Sequence, residues 1–320
     1  MGKKIAITGA AGYIGRMLVE RLTAKKDVEK IVAVDVVRPV GLPSGVETAE
    51  VDVRDPAIVR SFKGMDTVVH LAFIVAAIHD IPKTYDINVN GSRNVLAACE
   101  KAGVEKLVAA SSVAAYGRQP RDNRLINEDT PLTGDNASYY LHTKRLLEEA
   151  LDEFEKRNPG VVVTRLRPSI LIGPRNNNFA HELGRLLVVP HIREGAYLPV
   201  VHEEDVIDAF ELALDRDVPG AFIISLPEPI AIEGFAARDR PRVSVGIETL
   251  KKLSRIGYAL HLTLLSPDWI VAAEGNWRFD LNRSREVLGW TPKHDLETTV
   301  REMLENVQRR PLWKRMLGKA

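Results

Sequence analysis

A tyrosine and a lysine four residues apart, Tyr140 and Lys144, have the residue types and spacing that proton transfer requires. Residues at positions i and i+4 lie one turn apart on the same face of a helix. An ammonium group beside a phenol stabilises the phenolate and lowers the pKa of the tyrosine. Such a tyrosine can donate and accept a proton near neutral pH. An ordinary solvent-exposed helix face can also carry this pair, so its meaning depends on the rest of the chain.

A glycine-rich turn near the start of the chain is the second candidate for chemistry. Gly9, Gly12 and Gly15 follow a short apolar run and precede an amphipathic segment. In this pattern the glycines allow a tight turn, close approach of a pyrophosphate and packing of a helix on a strand, and the helix N-terminus attracts phosphate. Asp35 ends the next apolar run, where a carboxylate can bind a ribose diol and repel a 2′-phosphate. The unit predicts a dinucleotide site that favours NAD, while Arg38 nearby leaves NADP open.

Apolar runs and amphipathic segments alternate along the first half of the chain, which predicts an α/β fold. Strands are expected at residues 4–8, 31–34, 47–53, 66–72, 106–112 and 161–166, and the main helices at 82–102 and 138–157. This order predicts a doubly wound parallel sheet of the Rossmann type with helices on both faces. Ligands of such a sheet bind beyond the carboxyl ends of its strands. The residues expected at those ends are Gly9, Asp35, Ala72, Ser112 and Pro168.

The chain is expected to divide near Pro174. Residues 1–174 would form the NAD-binding domain, with part of 200–225 completing its sheet, and residues 175–320 would form mainly a smaller, mixed, substrate-binding lobe. The periodicity is weaker in this second part because Pro and Gly interrupt it. It predicts helices at 181–189, 202–213, 247–259, 267–274, 283–288 and 295–307, a strand at 220–225, an irregular segment at 190–199 and a surface loop at 227–241.

Composition excludes several classes of protein. The formal net charge of the 320 residues is +1, which provides no overall field for nucleic acid. The single cysteine, Cys99, excludes an internal disulfide framework and is expected to be buried. No signal peptide and no apolar run of about 18 residues is present, so we expect a cytoplasmic protein without a membrane span. The histidines show no metal-ligand spacing, so no metal site is predicted. Four of them, His79, His181, His191 and His202, are expected to be structural or solvated.

Ordered motifs along most of the chain resemble those of the extended short-chain dehydrogenases/reductases of the NAD-dependent epimerase/dehydratase type. The matching stretches are Thr8-Gly-Ala-Ala-Gly-Tyr-Ile-Gly15, Asp35, Asp52-Val53, His70-Leu-Ala72, Asn88-Val-Asn-Gly91, Ser111-Ser112, Tyr116-Gly117, Tyr140-x-x-x-Lys144, Arg167-Pro168, Gly173-Pro174, Val201-His202, Asp205-Val206 and Leu288-Gly-Trp-Thr-Pro292. The resemblance is specific for fold and cofactor, and less specific for substrate.

The resemblance implies roles for four catalytic residues. Tyr140 would be the acid/base, Lys144 would hold the nicotinamide ribose, Ser112 would bind the substrate oxygen and Asn88 would steady the site. Tyr139 is out of register, because the residue four positions further on is a threonine. The implied NAD-binding residues are Gly9, Gly12, Tyr13, Ile14, Gly15, Asp35, Asp52, Val53, Leu71, Ala72, Tyr140, Lys144, Pro168 and Ile170. The family also pairs the helices at 88–102 and 140–157 across a dimer, so a homodimer is expected.

Two departures from the family pattern bear on the reaction. Sugar dehydratases carry an acidic pair after the catalytic hydroxyl, whereas this chain has Val113 and Ala114, which cannot transfer a proton. Nucleotide-sugar epimerases use two arginines to bind the diphosphate; here Leu198 takes the place of one, and residues 271–276 lack the other. The arginines that could substitute are Arg175, Arg193 and Arg278.

These observations predict an NAD-dependent oxidoreductase or epimerase that acts by hydride transfer on a hydroxyl or carbonyl carbon of a sugar or sugar-like substrate. One alternative is an NAD(P)-dependent reductase or dehydrogenase of a small substrate that is not a nucleotide sugar. The other is a nucleotide-binding sensor without turnover. The presence of both Tyr140 and Lys144 argues against the sensor.

Overall fold

The fold is described by a computed structural model that covers most of the chain. The described residues are 2–75, 80–118, 122, 124–134, 138–176, 178–186, 188–193, 195–236, 240–260, 270, 273, 275 and 277–309.

A seven-stranded parallel sheet forms the centre of the molecule. The described residues form thirteen strands, seven in this sheet and six in three two-stranded sheets: β1 (Lys3–Thr8), β2 (Val28–Asp35), β3 (Glu47–Glu50), β4 (Thr67–His70), β5 (Lys106–Ala110), β6 (Val162–Pro168), β7 (Ile170–Ile172), β8 (Val189–Ile192), β9 (Tyr197–Leu198), β10 (Val200–His202), β11 (Gly220–Ile224), β12 (Ile230–Ala231) and β13 (Arg242–Val245). The sheet order is β3-β2-β1-β4-β5-β6-β11, and every neighbouring pair is parallel. This confirms the predicted doubly wound sheet, and β11 completes it beside β6.

Helices cover both faces of the sheet. The α-helices of the described residues are α1 (Tyr13–Thr23), α2 (Val59–Phe62), α3 (Ile81–Tyr85), α4 (Gly91–Ala102), α5 (Tyr139–Arg157), α6 (Phe179–Arg185), α7 (Glu203–Asp215), α8 (Ile247–Ala259) and α9 (Leu296–Arg309). On one face, Leu18 of α1 and Phe210 of α7 are fully buried in one cluster. On the other, Leu96 of α4 and Phe154 of α5 belong to a second cluster. Each such burial contributes about 1.5–3 kcal/mol.

A third cluster lies in the C-terminal part of the chain and includes Ile172, Leu198, Phe235 and Met303. Its residues come from short strands and helices, which the hydrophobic periodicity of the sequence predicted poorly. The predicted division of the chain near residue 174 stays a prediction.

The long helix predicted at 82–102 is interrupted. A π-helical turn, Asp86–Asn90, separates α3 from α4. Such turns insert a residue into the helix and occur often at functional sites. The insertion changes which face the side chains of this segment occupy, and Asn88 lies within it.

Several predictions for the second half of the chain were wrong. The helix predicted at 181–189 ends at Arg185, and residues 190–199 contain most of β8 and all of β9 instead of being irregular. The surface loop predicted at 227–241 includes a 3₁₀ turn, Ile232–Phe235, with a fully buried Phe235. Strands β8 and β9 form by pairing with the distant strands β13 and β12, which local pattern does not reveal. Most of the helix predicted at 267–274 lies outside the described residues.

The two helices that the homodimer prediction pairs across the dimer pack their apolar side chains inside the subunit. Val95 and Leu96 of α4 and Leu147 and Leu151 of α5 belong to the core cluster against the sheet. Neither α4 nor α5, both fully described, exposes a large hydrophobic side chain. The homodimer therefore stays a prediction. Within the described part of the chain, no helix combines the length and apolar composition needed to cross a bilayer.

The described histidines of the predicted structural set have protein partners. His202 caps α7, lies 3.2 Å from Glu302 and stacks on His294 with a centroid distance of 3.8 Å. His181 is fully buried, and His191 contacts Glu233 at 2.9 Å. His79 lies outside the described residues. Cys99 is buried as predicted, and burial raises the pKa of its thiol to about 12.

Candidate active site

A cavity of about 360 Å³ lies at the carboxyl ends of the central strands. It brings together residues that are far apart in sequence, from the glycine turn after β1 to the segment after β6. The predicted site residues that line it are Gly9, Gly12, Tyr13, Ile14, Gly15, Leu71, Ser112, Tyr140, Lys144, Pro168 and Ile170. The position agrees with the rule that doubly wound sheets bind ligands at this edge.

Tyr140 and Ser112 form the polar centre of the cavity. Ser112 follows β5 and caps a 3₁₀ turn, with its hydroxyl accepting a hydrogen bond from the Ala114 N–H at 3.1 Å. Tyr140 lies in the first turn of α5 and is hydrogen-bonded to Ser112. Burial raises the pKa of Tyr140 to about 12, although the Ser112 bond acts in the opposite direction. At neutral pH the Tyr140 phenol therefore holds its proton and can donate it.

Lys144 lies one turn further along α5, but its ammonium group is directed to other partners. Nζ donates to the Ala110 carbonyl at 2.9 Å and lies 3.6 Å from the centroid of the Phe73 ring. Its distance to the Tyr140 ring centroid is 6.0 Å. Burial lowers the pKa of Lys144 to about 7, and the charge of Glu148 partly offsets this.

The expected lowering of the tyrosine pKa by Lys144 is not what the structure gives. The buried environment of Tyr140 disfavours the phenolate and raises its pKa instead. Phe73, which the sequence analysis missed, contacts both groups: its ring also meets that of Tyr140 edge-on, with a centroid distance of 6.2 Å. A cation–π contact with Phe73 stabilises the Lys144 ammonium where it is removed from water.

Asn88 holds the segment that carries Phe73. Its amide oxygen accepts from the Ile74 N–H at 2.8 Å, and its amide nitrogen donates to the Ile74 carbonyl at 3.0 Å. The same nitrogen donates to the hydroxyl of Tyr139 at 2.9 Å. Asn88 thus contacts the neighbour of Tyr140 and the backbone beside Phe73, and it does not line the cavity.

His70 connects the end of β1 to the turn that carries Asn88. Its Nδ1 lies 2.8 Å from the Thr8 hydroxyl and its Nε2 lies 2.9 Å from the Ser92 hydroxyl. Because Ser92 donates to the Asn88 carbonyl at 2.6 Å, we assign Nε2–H as donor to Ser92 and Nδ1 as acceptor from Thr8. Burial, with the charge of Lys144, lowers the pKa of His70 to about 3, so the ring is neutral.

The glycine turn fits a dinucleotide. Gly9 has φ +73°, and a Cβ there would lie 2.7 Å from the Ala72 backbone nitrogen. Gly12 is the N-cap residue of α1 and has no side chain that could accept from the first N–H groups of the helix. These N–H groups can therefore face a pyrophosphate. The Asp35 carboxylate ends β2 and accepts from the Ala11 N–H at 2.9 Å, which places it beside the turn.

Five predicted site residues do not line the cavity, namely Asp35, Asp52, Val53, Ala72 and Asn88. The Asp52 carboxylate binds the Arg54 guanidinium at 2.7 Å, and this hydrogen bond lowers the pKa of Asp52. The Val53 side chain packs against Gly91, the first residue of α4. A Cβ at Gly91 would lie 2.7 Å from the Val53 Cγ2. Their proposed contacts with NAD stay predictions.

A buried carboxylate joins the glycine turn to the opposite side of the cavity. Glu203, at the start of α7, is 1% exposed and accepts a short hydrogen bond from the Tyr13 hydroxyl. It also accepts from the backbone N–H groups of Arg175, at 3.0 Å, and Asn176, at 3.2 Å. Burial, with the Glu203 charge, raises the pKa of Tyr13 well above its usual value. The sequence analysis placed Glu203 only within the helix predicted at 202–213 and missed this link.

A second buried carboxylate lies behind Lys144. Glu148 is fully buried and binds Arg167 at 2.8 and 3.0 Å, Arg165 at 3.2 Å and the Ser111 hydroxyl at 2.5 Å. Burial alone would raise the pKa of Glu148, but the two arginines and Ser111 lower it to about 2. Removing one partner from such a cluster costs about 3–5 kcal/mol. The cluster holds Ser111, the neighbour of Ser112, in place. The sequence analysis missed this cluster; its only local sign is a glutamate four residues after Lys144.

The family pattern of the NAD dependent epimerase/dehydratases matches residues 5–224. The chain belongs to this family. Since the family is NAD-dependent, NAD is the cofactor. Binding of NAD by the glycine turn and Asp35 stays a prediction.

The named relatives differ in activity, and the solved structures share the fold. The sterol demethylase protein B of Methylococcus capsulatus is 28% identical over 312 residues, covering 89% of this chain and 93% of that protein. An N-acetyl-alpha-D-glucosaminyl-diphospho-ditrans,octacis-undecaprenol 4-epimerase of Escherichia coli O157:H7 is 33% identical over 190 residues, covering 57% and 53%. The structure of MoeE5 in complex with UDP-glucose and NAD superimposes with a TM-score of 0.74 at 24% identity, covering 96% of this chain and 99% of that one.

Proposed function

We propose that the protein is an oxidoreductase that transfers a hydride between NAD and the carbon of a secondary alcohol or ketone, with Tyr140 as acid/base. The observation that carries this proposal is the Tyr140–Ser112 hydrogen bond inside the cavity that the glycine turn and Lys144 also line. Both residues line the cavity, so a substrate oxygen placed beside their hydroxyl groups can form hydrogen bonds with both.

The residues have separate roles in this proposal. Bound NAD supplies the hydride acceptor or donor. Tyr140 donates its proton to the oxygen when a ketone is reduced and accepts the proton when an alcohol is oxidised. Ser112 orients that oxygen, and Lys144 places a cation on the same side of the cavity. A pKa of about 12 for Tyr140 favours the donor role at neutral pH.

The neighbours of Ser112 argue against dehydration. Val113 and Ala114 both line the cavity, and neither can transfer the protons that elimination of water requires. Epimerisation shares the first hydride transfer and is supported by the 4-epimerase among the relatives. Net release of NADH identifies a dehydrogenase, whereas turnover without net NADH identifies an epimerase.

The test compares Tyr140→Phe with the matched control Tyr139→Phe, using NADH fluorescence for binding and NADH absorbance for turnover. Loss of the acid/base is expected to lower kcat by about a thousandfold while NADH still binds. The control removes the Tyr139 hydroxyl and with it the hydrogen bond to Asn88, worth about 1 kcal/mol of stability, and keeps most activity. Wild-type turnover by Tyr140→Phe, or a wild-type protein that does not bind NADH, contradicts the proposal.

A further inference from the structure

The side of the cavity away from the glycine turn is apolar. We call it the substrate wall and define it by the following lining residues: Phe73, Val75, Val113, Ala114, Leu171, Leu198, Pro199 and Trp277. They come from five separate parts of the chain: after β4, after β5, in β7, at residues 198–199 and at residue 277. An apolar wall binds hydrocarbon by removing it from water and contributes nothing specific for sugar hydroxyls or phosphates.

The polar side chains near this wall are mostly engaged with backbone. The amide nitrogens of Asn176 and Asn178 both donate to the Leu171 carbonyl, at 2.7 and 2.8 Å. The amide oxygen of Asn178 accepts from the Ala180 N–H at 3.0 Å. Within the described part of the chain, the buried Ser169 hydroxyl lines the cavity without a hydrogen-bond partner. A single hydroxyl in this position can bind one polar group of a ligand, and a sugar presents several.

The residues that the structure describes place no second cation in the cavity to bind a diphosphate. Among the described lining residues, Lys144 is the only cation, and it lies at the reacting end of the cavity. The guanidinium of Arg175 faces Glu20 and Glu204, at 3.4 and 3.5 Å, and does not line the cavity. Placing an unpaired diphosphate against apolar side chains carries a large desolvation cost.

The other two candidate arginines do not supply this charge. Arg278 contacts Glu228 at 3.2 Å, and neither it nor the exposed Arg193 lines the cavity. Leu198, at the position where a diphosphate-binding arginine was expected, is 1% exposed and packs into the C-terminal core cluster. The buried Glu203 carboxylate beneath residues 175–176 adds a negative charge on this side.

We infer that the substrate is an uncharged, largely apolar secondary alcohol, or the matching ketone, without a phosphate group. This inference rests on the proposed function and specifies its substrate class. The carbinol oxygen lies at Ser112 and Tyr140, and the hydrocarbon part contacts the substrate wall. In oxidation, the carbinol C–H bond breaks and its electron pair reduces NAD⁺ to NADH. The hydroxyl proton leaves through Tyr140 to solvent, and a C=O bond forms.

The first test is a substrate series measured as NADH formation with the full chain and saturating NAD⁺. It compares 2-butanol, 2-hexanol, 2-octanol and a monohydroxylated steroid with UDP-glucose. We expect kcat/KM to rise about fourfold for each CH₂ group until the wall is covered. UDP-glucose is expected to be at least about a hundredfold less efficient, because charge-assisted hydrogen bonds to its diphosphate are missing. A flat series, or UDP-glucose as the better substrate, overturns the inference.

The second test changes the wall. Leu198→Arg is compared with the matched control Leu198→Met, and UDP binding to the NAD complex is measured by calorimetry. The arginine is expected to lower kcat/KM for 2-octanol by at least about tenfold and to introduce measurable UDP binding. The methionine keeps the apolar surface and is expected to behave as wild type.

A variant at the mouth of the cavity covers the case in which Leu198→Arg does not fold. Val75 is 48% exposed, so a charge there is compatible with folding. Val75→Asp is expected to reduce kcat/KM for 2-octanol more than for 2-butanol, whereas Val75→Ile does not. Equal effects on both alcohols contradict an apolar contact at Val75.

The outcomes separate this inference from the proposed function. Turnover of UDP-glucose that depends on Tyr140 overturns the apolar substrate and leaves the hydride-transfer proposal standing. Failure of 2-octanol and the steroid to bind the NAD complex in calorimetry also overturns the apolar substrate. Turnover of 2-octanol that is unchanged in Tyr140→Phe does the reverse: it supports the substrate class and contradicts the acid/base assignment.

Discussion

The nucleotide wall of the cavity, residues 9–15, differs from the substrate wall in how the chain forms it. The nucleotide wall is a single short segment that presents a glycine turn and the N-terminus of α1 to the cavity. The substrate wall is assembled from side chains of five distant segments. A backbone site tolerates little change and serves one ligand, whereas a side-chain wall can change its ligand by substitution. The comparison explains how family members can share NAD and differ in substrate.

The nucleotide wall should give the largest effect. Gly9→Ala forces a Cβ to within 2.7 Å of the Ala72 nitrogen at φ +73°. We expect the dissociation constant for NADH to rise at least about a hundredfold, or about 2.7 kcal/mol, measured by fluorescence titration. Gly41→Ala is the matched control, because Gly41 has φ +72° with no atom within 4 Å. It should carry the same backbone strain, about 1 kcal/mol of stability, and bind NADH normally. Equal NADH affinities in the two variants would contradict the close approach.

A substitution in the substrate wall should have a smaller and more selective effect. Leu171→Ala removes apolar contact from a half-buried side chain and is expected to raise KM for 2-octanol about tenfold. NADH affinity should stay at the wild-type value, because Leu171 lies outside the glycine turn. Leu186→Ala, at an exposed position away from the cavity, controls for the substitution itself. A parallel loss of NADH binding in Leu171→Ala would mean that the two walls are not separable.

The smallest expected effect concerns Lys144, which lies where the two walls meet. The pKa of Lys144 is about 7 in the folded protein, and in the unfolded chain it has the ordinary lysine value of 10.5. Between these two pH values the unfolded chain therefore binds more protons than the folded protein. Stability therefore rises with pH across this window. Relative to Lys144→Met, the free energy of unfolding of the wild type should rise by about 1 kcal/mol between about pH 7 and about pH 8. Urea titrations at both pH values measure this difference, and parallel curves would show an ordinary lysine pKa.

Residue spacing was sufficient to predict the nucleotide wall. The three glycines, the strand before them and Asp35 are close in sequence, and their geometry follows from one strand–turn–helix unit. The alternation of elements likewise predicted the sheet, because crossover connections between parallel strands follow few rules. Tyr140 and Ser112 were predicted through the resemblance to a family, and the structure places both in the cavity.

The remaining contacts depend on long-range packing. The link from Tyr13 to Glu203 spans 190 residues, and no local pattern marks it. Lys144 was expected to act on Tyr140, but burial and the ring of Phe73 determine its environment. The short strands β8 and β9 exist because distant strands pair with them.

The most direct test of hydride transfer to an apolar substrate is a single turnover with 2-octanol that carries deuterium on the carbinol carbon. Enzyme, NAD⁺ and the labelled alcohol are mixed, and the mass of the NADH formed is measured together with the rate. The proposed mechanism predicts that the deuterium appears in the reduced nicotinamide and that the labelled alcohol reacts more slowly than the unlabelled one. Deuterium released to solvent, or NADH that forms without the label, would contradict direct hydride transfer.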